Sequence, residues 1–441
     1  MAGSYSQAWP KPANGTVHTL TGLKRWSCEE KQIPSVDKVK SIHVYDFDNT
    51  LFRTPLPNKQ IWHQTTIGSL QNQDAFVNGG WWHDNVLLTA TGEGLSKEEP
   101  RAWNGWWNEE IVRLVELSME QNDALCVLLT GRSERNFADI IKRMAKSKKL
   151  EFDMTCLKPA VGPRNQKFAS TQKFKQDLLW DIVYTYKDAD EIRVYEDRPK
   201  HVKAFKDFFQ TLNQTLLLPD NHFPRKAINA EVIQVPEDSV TLDPVVEVTE
   251  IQRMINNHNI TIREGKAPEF TYPFQINRSV FYTGYMISPE TTNQLVQLVN
   301  LPENGQGDIQ FLANNILITP RSAPPHVLEK AGGIGRKLHW RVTGLATLEG
   351  KLWAARVAPV PENAKYYTDD LTPSIVLALK RGARPGDVSK ISKWSPVSPD
   401  NQIEFDTTVG EKVLLKIERE RNGEDEQRFQ QSRNDNPRKH P

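Results

Sequence analysis

The chain has 441 residues, with 56 Lys+Arg against 55 Asp+Glu, a formal charge of +1 and 38% apolar side chains. That balance excludes a globally basic nucleic-acid coat, and no apolar run approaches the roughly 20 residues a membrane span requires. At about 100 to 200 residues per domain the length predicts two or three domains, each able to bury its own core.

The opening residues, MAGSYSQAWPKPANG, lack the basic-then-apolar build of a secretory leader, and Cys28, Cys126 and Cys156 show no metal-like pairing. Together they predict an intracellular, reducing compartment, cytoplasmic or nuclear, with no zinc. Cys126 and Cys156 lie in apolar runs and are expected as core thiols.

After an N-terminal extension over 1–40, short apolar runs at 42–45, 125–129, 192–195 and 215–218 read as buried strands. Between them Ile111/Leu114/Val115, Phe137/Ile140/Ile141/Met144, Phe174/Leu178/Ile182 and Val202/Phe205/Phe209 recur at helical spacing. Repeated βαβ units predict an α/β domain over 41–235 with a doubly wound parallel sheet. Residues 53–107 interrupt this rhythm and hold six of the twelve tryptophans, an insertion long enough to imply a function. Residues 236–271, with Pro236 and Pro244, read as a linker carrying one helix near 246–256. Strand-like runs separated by Gly/Pro turns then predict a smaller α+β domain over 272–420. The charged, polar stretch 421–441 is expected to be disordered.

The chemistry concentrates at strand ends. Asp46 and Asp48 leave the first run as a carboxylate pair at the edge where open α/β sheets bind ligands. Two such acids call for a divalent cation, and hard oxygen ligands select Mg²⁺. Thr130-Gly131-Arg132 ends the second run just before a helix, supplying a hydroxyl and free N–H groups for an anion. Glu196 and Asp197 end a third run ahead of Arg198-Pro199. Residues 154–176 carry Lys158, Arg164, Lys167, Lys173 and Lys175 and no acid after Asp153, a local positive patch.

DFDNTL at 46–51, LLTGR at 128–132, a lysine at 173 or 175 and YEDR at 195–198 resemble motifs one to four of the haloacid dehalogenase (HAD) phosphohydrolase superfamily. The EDR ending resembles the DDR of polynucleotide-kinase-type 3′-phosphatase domains. With GGWWHD, WNGWWNEE, LKP and the segment Thr171–Lys175, the chain is similar to fungal Swiss Army Knife RNA repair HAD proteins. The resemblance implies Asp46 as nucleophile, Asp48 as acid and then base, and Thr130 and Lys175 as phosphoryl-holding groups. It implies Gly131, Arg132, Lys173 and Arg198 around the phosphate. Mg²⁺ would bind Asp46, the Asp48 carbonyl and the Glu196/Asp197 pair. Lys175 is preferred to Lys173 as the motif lysine because it follows an aromatic.

The implied activity is an Mg²⁺-dependent phosphatase acting on RNA ends, with a small-molecule or nucleotide phosphatase and a non-catalytic RNA-binding scaffold as rivals. The tryptophan-rich insertion sits where the superfamily places a cap. Trp81, Trp82 and Trp106, with Lys158, are candidate substrate contacts; the same rings would also serve as the insertion's own core. The second domain resembles the two-histidine phosphodiesterase fold, but Asn315-Ile316-Leu317 and Thr372-Pro373-Ser374 stand where its histidine triads belong, which implies a catalytically dead module; the alternative is an unrelated α+β module. His326 and His339 are expected as surface residues.

Overall fold

The computed structural model describes residues 18–218, 225–299, 309–398 and 402–420, so the tail expected to be disordered, 421–441, lies outside the described residues. The chain forms two compact units. The first takes the described residues up to Lys59, Ile67–Gln275 and those from Arg419 onward; the second takes Gln60–Thr66 and Ile276–Glu418.

In the first unit β1 (Ser41–Asp46), β2 (Ala124–Ser133), β3 (Met154–Lys158), β4 (Glu191–Glu196) and β5 (Asn229–Gln234) form a parallel sheet in the order β3-β2-β1-β4-β5. Its helices are α1 (Leu20–Lys24), α2 (Gln64–Gln71, entered from the other unit), α3 (Asn85–Thr89), α4 (Leu95–Glu98), α5 (Glu109–Glu120), α6 (Glu134–Ser147), α7 (Thr171–Thr185), α8 (Pro199–Leu216) and α9 (Pro244–Arg263).

Alternation along each strand explains the layering. Ile42, Val44, Leu125 and Val127 pack with Phe174, Leu178, Val202 and Phe205 of α7 and α8 on one face. Tyr45, Cys126 and Leu128 pack with Ile111, Val115, Phe137 and Ile141 of α5 and α6 on the other. A sheet buried on both faces is doubly wound, and it brings every strand's carboxyl end to one edge.

Two assignments made from sequence differ from the structure. The run Thr215–Leu218 is not a strand: α8 continues to Leu216, which joins Leu212 on its apolar face, while Leu217 and Leu218 are exposed. Helical spacing from Val202 onward outweighs four apolar residues in a row. The edge strand is instead β5, whose pattern NAEVIQ is too polar to stand out. β3 was hidden in the basic stretch 154–176, because MTCLK is short and abuts lysine.

Residues 236–271, read as a linker, are built into the first unit through α9. Asp243 caps this helix by accepting from Val245 and Val246 N–H, and Pro244 fits its first turn. Glu247 accepts from Asn58 N–H, Arg253 pairs with Asp84 at 2.8 Å, and His258 accepts from Val77 N–H through Nδ1. These buried polar contacts tie the helix to residues 58–84.

The second unit is an antiparallel sheet of β6 (Phe274–Ile287), β7 (Ile309–Phe311), β8 (Asn315–Thr319), β9 (Lys337–Leu348), β10 (Leu352–Val360), β11 (Ser374–Lys380) and β13 (Glu404–Arg419), with β12 (Ser395–Pro396) on β9. Two helices, α10 (Pro289–Val296) and α11 (Pro325–Ala331), accompany it. β7 pairs with β11 at one edge and β8 with β6 at the other, and Leu312 and Ala313 N–H still donate to Leu377 and Val376. One continuous segment therefore joins both edges, and the sheet closes around Tyr285, Ile316, Trp340 and Ile375. Trp62, counted with the insertion from sequence, belongs to this unit and bridges to Leu415. Asn315 opens β8 and Ser374 opens β11; His339 sits between Asp406 and Glu404 at 2.9 and 3.2 Å.

Candidate active site

The loop after β1 folds back on itself. Leu51 N–H donates to the Asp46 carbonyl, Phe52 N–H to that of Phe47, and Asn49 N–H to that of Phe52. Asn49 adopts φ 56°, a left-handed turn that asparagine tolerates better than most residues. The fold-back sets Asp46 and Asp48 at the sheet edge.

Asp46 is buried, and Lys175 Nζ lies 2.8 Å from its Oδ1 and 2.8 Å from Glu196 Oε2. Lys175 reaches that point from the start of the second turn of α7, a helix capped by Ser170, whose hydroxyl accepts from Lys173 N–H. Arg198 Nη2 stands 3.9 Å from Asp46 Oδ2 and its Nε 3.2 Å from Glu196 Oε1. His201 Nδ1 lies 3.2 Å from Glu196 Oε2.

Asp46, Glu196 and Asp197 each present an oxygen within 4.8 Å of the others. Three buried carboxylates thus face two cations, and Asp197 Oδ1 has no hydrogen-bond partner among the described residues. Burial and repulsion from Glu196 push Asp46 up to about 7 despite Lys175. Burial, with Asp46 and Glu196 as neighbours, pushes Asp197 up to about 8. Against its own burial, Glu196 is held far below the usual carboxylate range by Lys175, His201 and Arg198. A cluster that resists full ionisation, with one orphaned oxygen and only hard ligands, fits a divalent cation such as Mg²⁺.

Asp48 is held differently. Arg132 Nε lies 3.1 Å from both its oxygens and Nη2 2.8 Å from Oδ1; Thr54 Oγ1 donates at 2.9 Å and Thr130 Oγ1 at 3.3 Å. Although burial opposes it, Arg132 and then Thr54 keep this carboxyl below its ordinary range.

With this geometry in view, residues 54–260, just under half of the chain, match the model of HAD domain family 1 in Swiss Army Knife RNA repair proteins. Most of that match falls in the first unit, which is thereby similar to that family. The matched segment contains Thr130, Lys175, Glu196 and Asp197; Asp46 and Asp48 precede it. The chain is 29% identical over 280 residues to the uncharacterized protein YMR265C of Saccharomyces cerevisiae, covering 60% of this chain and 55% of the relative. It therefore spans about half the length of that curated relative. A solved HAD domain, that of the effector protein Lem4 from Legionella pneumophila in an inactive mutant form, aligns over 52% of this chain and 99% of its own. At 10% identity and a TM-score of 0.25 that likeness carries no argument.

Within the first unit Asp46, Lys175, Glu196, Asp197 and Arg198 meet at one rim, and Asp48, Thr130 and Arg132 form the adjoining cluster. Lys173 is elsewhere: it pairs with Asp177 at 2.6 Å on the outer side of α7. Arg132, expected near a phosphate, spends its guanidinium on Asp48. Gly131 is needed for packing, since a Cβ there would stand 2.3 Å from Thr171 Cγ2. Lys158 is half-buried at the end of β3.

The tryptophans divide. Trp81, Trp103 and Trp107 are buried, their indole N–H groups donating to the Pro55 carbonyl, Thr91 Oγ1 and the Ala102 carbonyl. Trp106 is half-buried and stacks on Phe52 at 6.3 Å, and Trp82 is half-buried over Arg132. Sequence reasoning missed Thr54 and His201. Thr54 had no visible signal inside the insertion; His201, in the first turn of α8 after the EDR run, could have been found from its position.

Among the described residues no helix is long and apolar enough to cross a membrane.

Proposed function

We propose that the first unit hydrolyses phosphomonoesters through an aspartyl-phosphate on Asp46, with Mg²⁺ held by Asp46, Glu196 and Asp197, and that its substrate is a phosphorylated RNA end. The observation that carries this reading is Asp46 itself: buried at the carboxyl edge of a parallel sheet, 2.8 Å from Lys175, with Arg198 beside its second oxygen.

In the first step an Asp46 oxygen attacks phosphorus and the bond to the leaving oxygen breaks, with Asp48 giving that oxygen a proton. Lys175 and Arg198 neutralise the charge that builds on the phosphoryl oxygens. The cation supplies the positive charge that lets Asp46 and Asp197 be ionised together. In the second step water displaces Asp46 from phosphorus, with Asp48 taking its proton. RNA as the substrate class rests on the family, which is named for RNA repair proteins.

The test is a phosphate-release screen on 3′-phosphorylated and 5′-phosphorylated RNA and DNA, nucleotides and sugar phosphates. Preference for RNA 3′- or 5′-phosphates supports the reading; release from sugar phosphates alone moves the substrate to small molecules. Loss of turnover in EDTA, restored by Mg²⁺ but not by Na⁺, checks the cation.

A further inference from the structure

Trp82 stacks on an arginine. The Arg132 guanidinium lies 4.9 Å from the centre of the Trp82 ring and 4.7 Å from that of Phe137. The Trp82 carbonyl accepts from Arg132 Nη1 at 3.0 Å. Held between two rings and a carbonyl, with its side chain 4% exposed, Arg132 directs its Nε and Nη2 onto the Asp48 carboxylate. A planar fork fixes both the place and the rotation of a carboxylate, which a single point charge does not. With Thr54 and Thr130 also donating, both oxygens of Asp48 are fixed in place.

We propose that Trp82 and Arg132 are positioning residues for the second half of the reaction, holding Asp48 as the base that activates water. The inference rests on the aspartyl-phosphate reading above. In this step the water oxygen attacks phosphorus, and the bond from phosphorus to the Asp46 oxygen breaks, its electron pair returning to the Asp46 carboxylate. The water proton passes to an Asp48 oxygen, and inorganic phosphate departs. Asp48 then carries the proton that the next leaving oxygen takes. Misaiming the base slows hydrolysis of the phosphoenzyme, but leaves the first step intact for a leaving group that needs no proton.

The experiment follows p-nitrophenyl phosphate in stopped flow with the full chain and Mg²⁺, because nitrophenolate leaves as a stable anion. Trp82→Ala should keep a first-turnover burst approaching one nitrophenolate per chain while the steady rate falls about tenfold. Arg132→Lys, which keeps the charge and loses the fork, should lower the steady rate about a hundredfold and let acid-stable-on-quench aspartyl-phosphate accumulate. Trp82→Phe, which keeps a ring over the guanidinium, should recover to within about threefold of the wild type. Burst and steady rate slowed together, unchanged variants, or Trp82→Phe as impaired as Trp82→Ala would overturn the positioning role and leave the phosphatase reading standing. A wild type that releases neither nitrophenolate nor phosphate would sink that reading, and the positioning role with it.

Discussion

The two units each gather acids around a basic side chain, with opposite consequences. In the first, Lys175, Asp46 and Glu196 have side chains 1%, 4% and 1% exposed. In the second, His339, Glu404 and Asp406 are 37%, 44% and 79% exposed. A parallel sheet sends all its carboxyl ends to one rim, so residues 150 positions apart in sequence converge there and lose water together. Antiparallel neighbours place charges opposite each other across a solvated face, as β9 and β13 do at His339↔Asp406. Convergence with burial is what shifts proton affinities and makes a reactive rim; cross-strand pairing on a surface makes a weak ion pair.

The largest contrast should appear in turnover. Asp46→Asn is expected to lower phosphate release at least a thousandfold, because an amide cannot form the covalent intermediate, while His339→Ala stays within about twofold. Retained activity in Asp46→Asn would remove the covalent route.

Stability sharpens the contrast within the insertion. Trp103→Ala should cost about 3 to 5 kcal/mol in denaturant unfolding, as expected for a fully buried aromatic, and Trp106→Ala about 1. Equal costs would mean that the insertion has no division between core and half-buried rings. Lys175→Met should cost about 3 kcal/mol by stranding Asp46 and Glu196, with added Mg²⁺ recovering part of it.

A smaller effect separates the two clusters by pH. Asp46 and Asp197 have folded-state values raised to about 7 and 8, so the folded chain binds protons more tightly than the unfolded one. Without Mg²⁺, the stability these two groups contribute should be full below about pH 4 and be lost progressively as pH rises to between 7 and 8, by roughly 5 °C in Tm. Mg²⁺, or Asp197→Asn, should flatten that fall; a Tm indifferent to Mg²⁺ at pH 8 would count against the cation site. At the other extreme, Asp406→Ala should change stability by less than about 1 kcal/mol, and still less at high salt.

Much of this was legible because burial writes itself into strand composition. Runs such as Leu125–Leu129, apolar on both faces, could only be interior strands, and charged residues directly after them could only stand at the rim. Short or polar strands carried no such mark: β3 read as part of a basic stretch, β5 was not marked at all, and the end of α8 read as a strand. The ties of the helix in 236–271 to the first unit were not legible, because Glu247, Arg253 and His258 look solvent-facing on a polar helix, yet each has partners far away in sequence. The contact between Trp82 and Arg132 was invisible for the same reason, since a contact 50 residues apart has no local signature.

The sequence by itself determined the alternation of strands and helices, the acids at strand ends and the family resemblance, because these follow from local periodicity and short motifs. The tertiary structure alone decided that Lys175 turns inward while Lys173 pairs with Asp177, and that Arg132 serves Asp48. Those choices depend on how α7 is rotated when Phe174 and Leu178 dock on the sheet, and on which rings close over the guanidinium. Both are set by packing between distant segments.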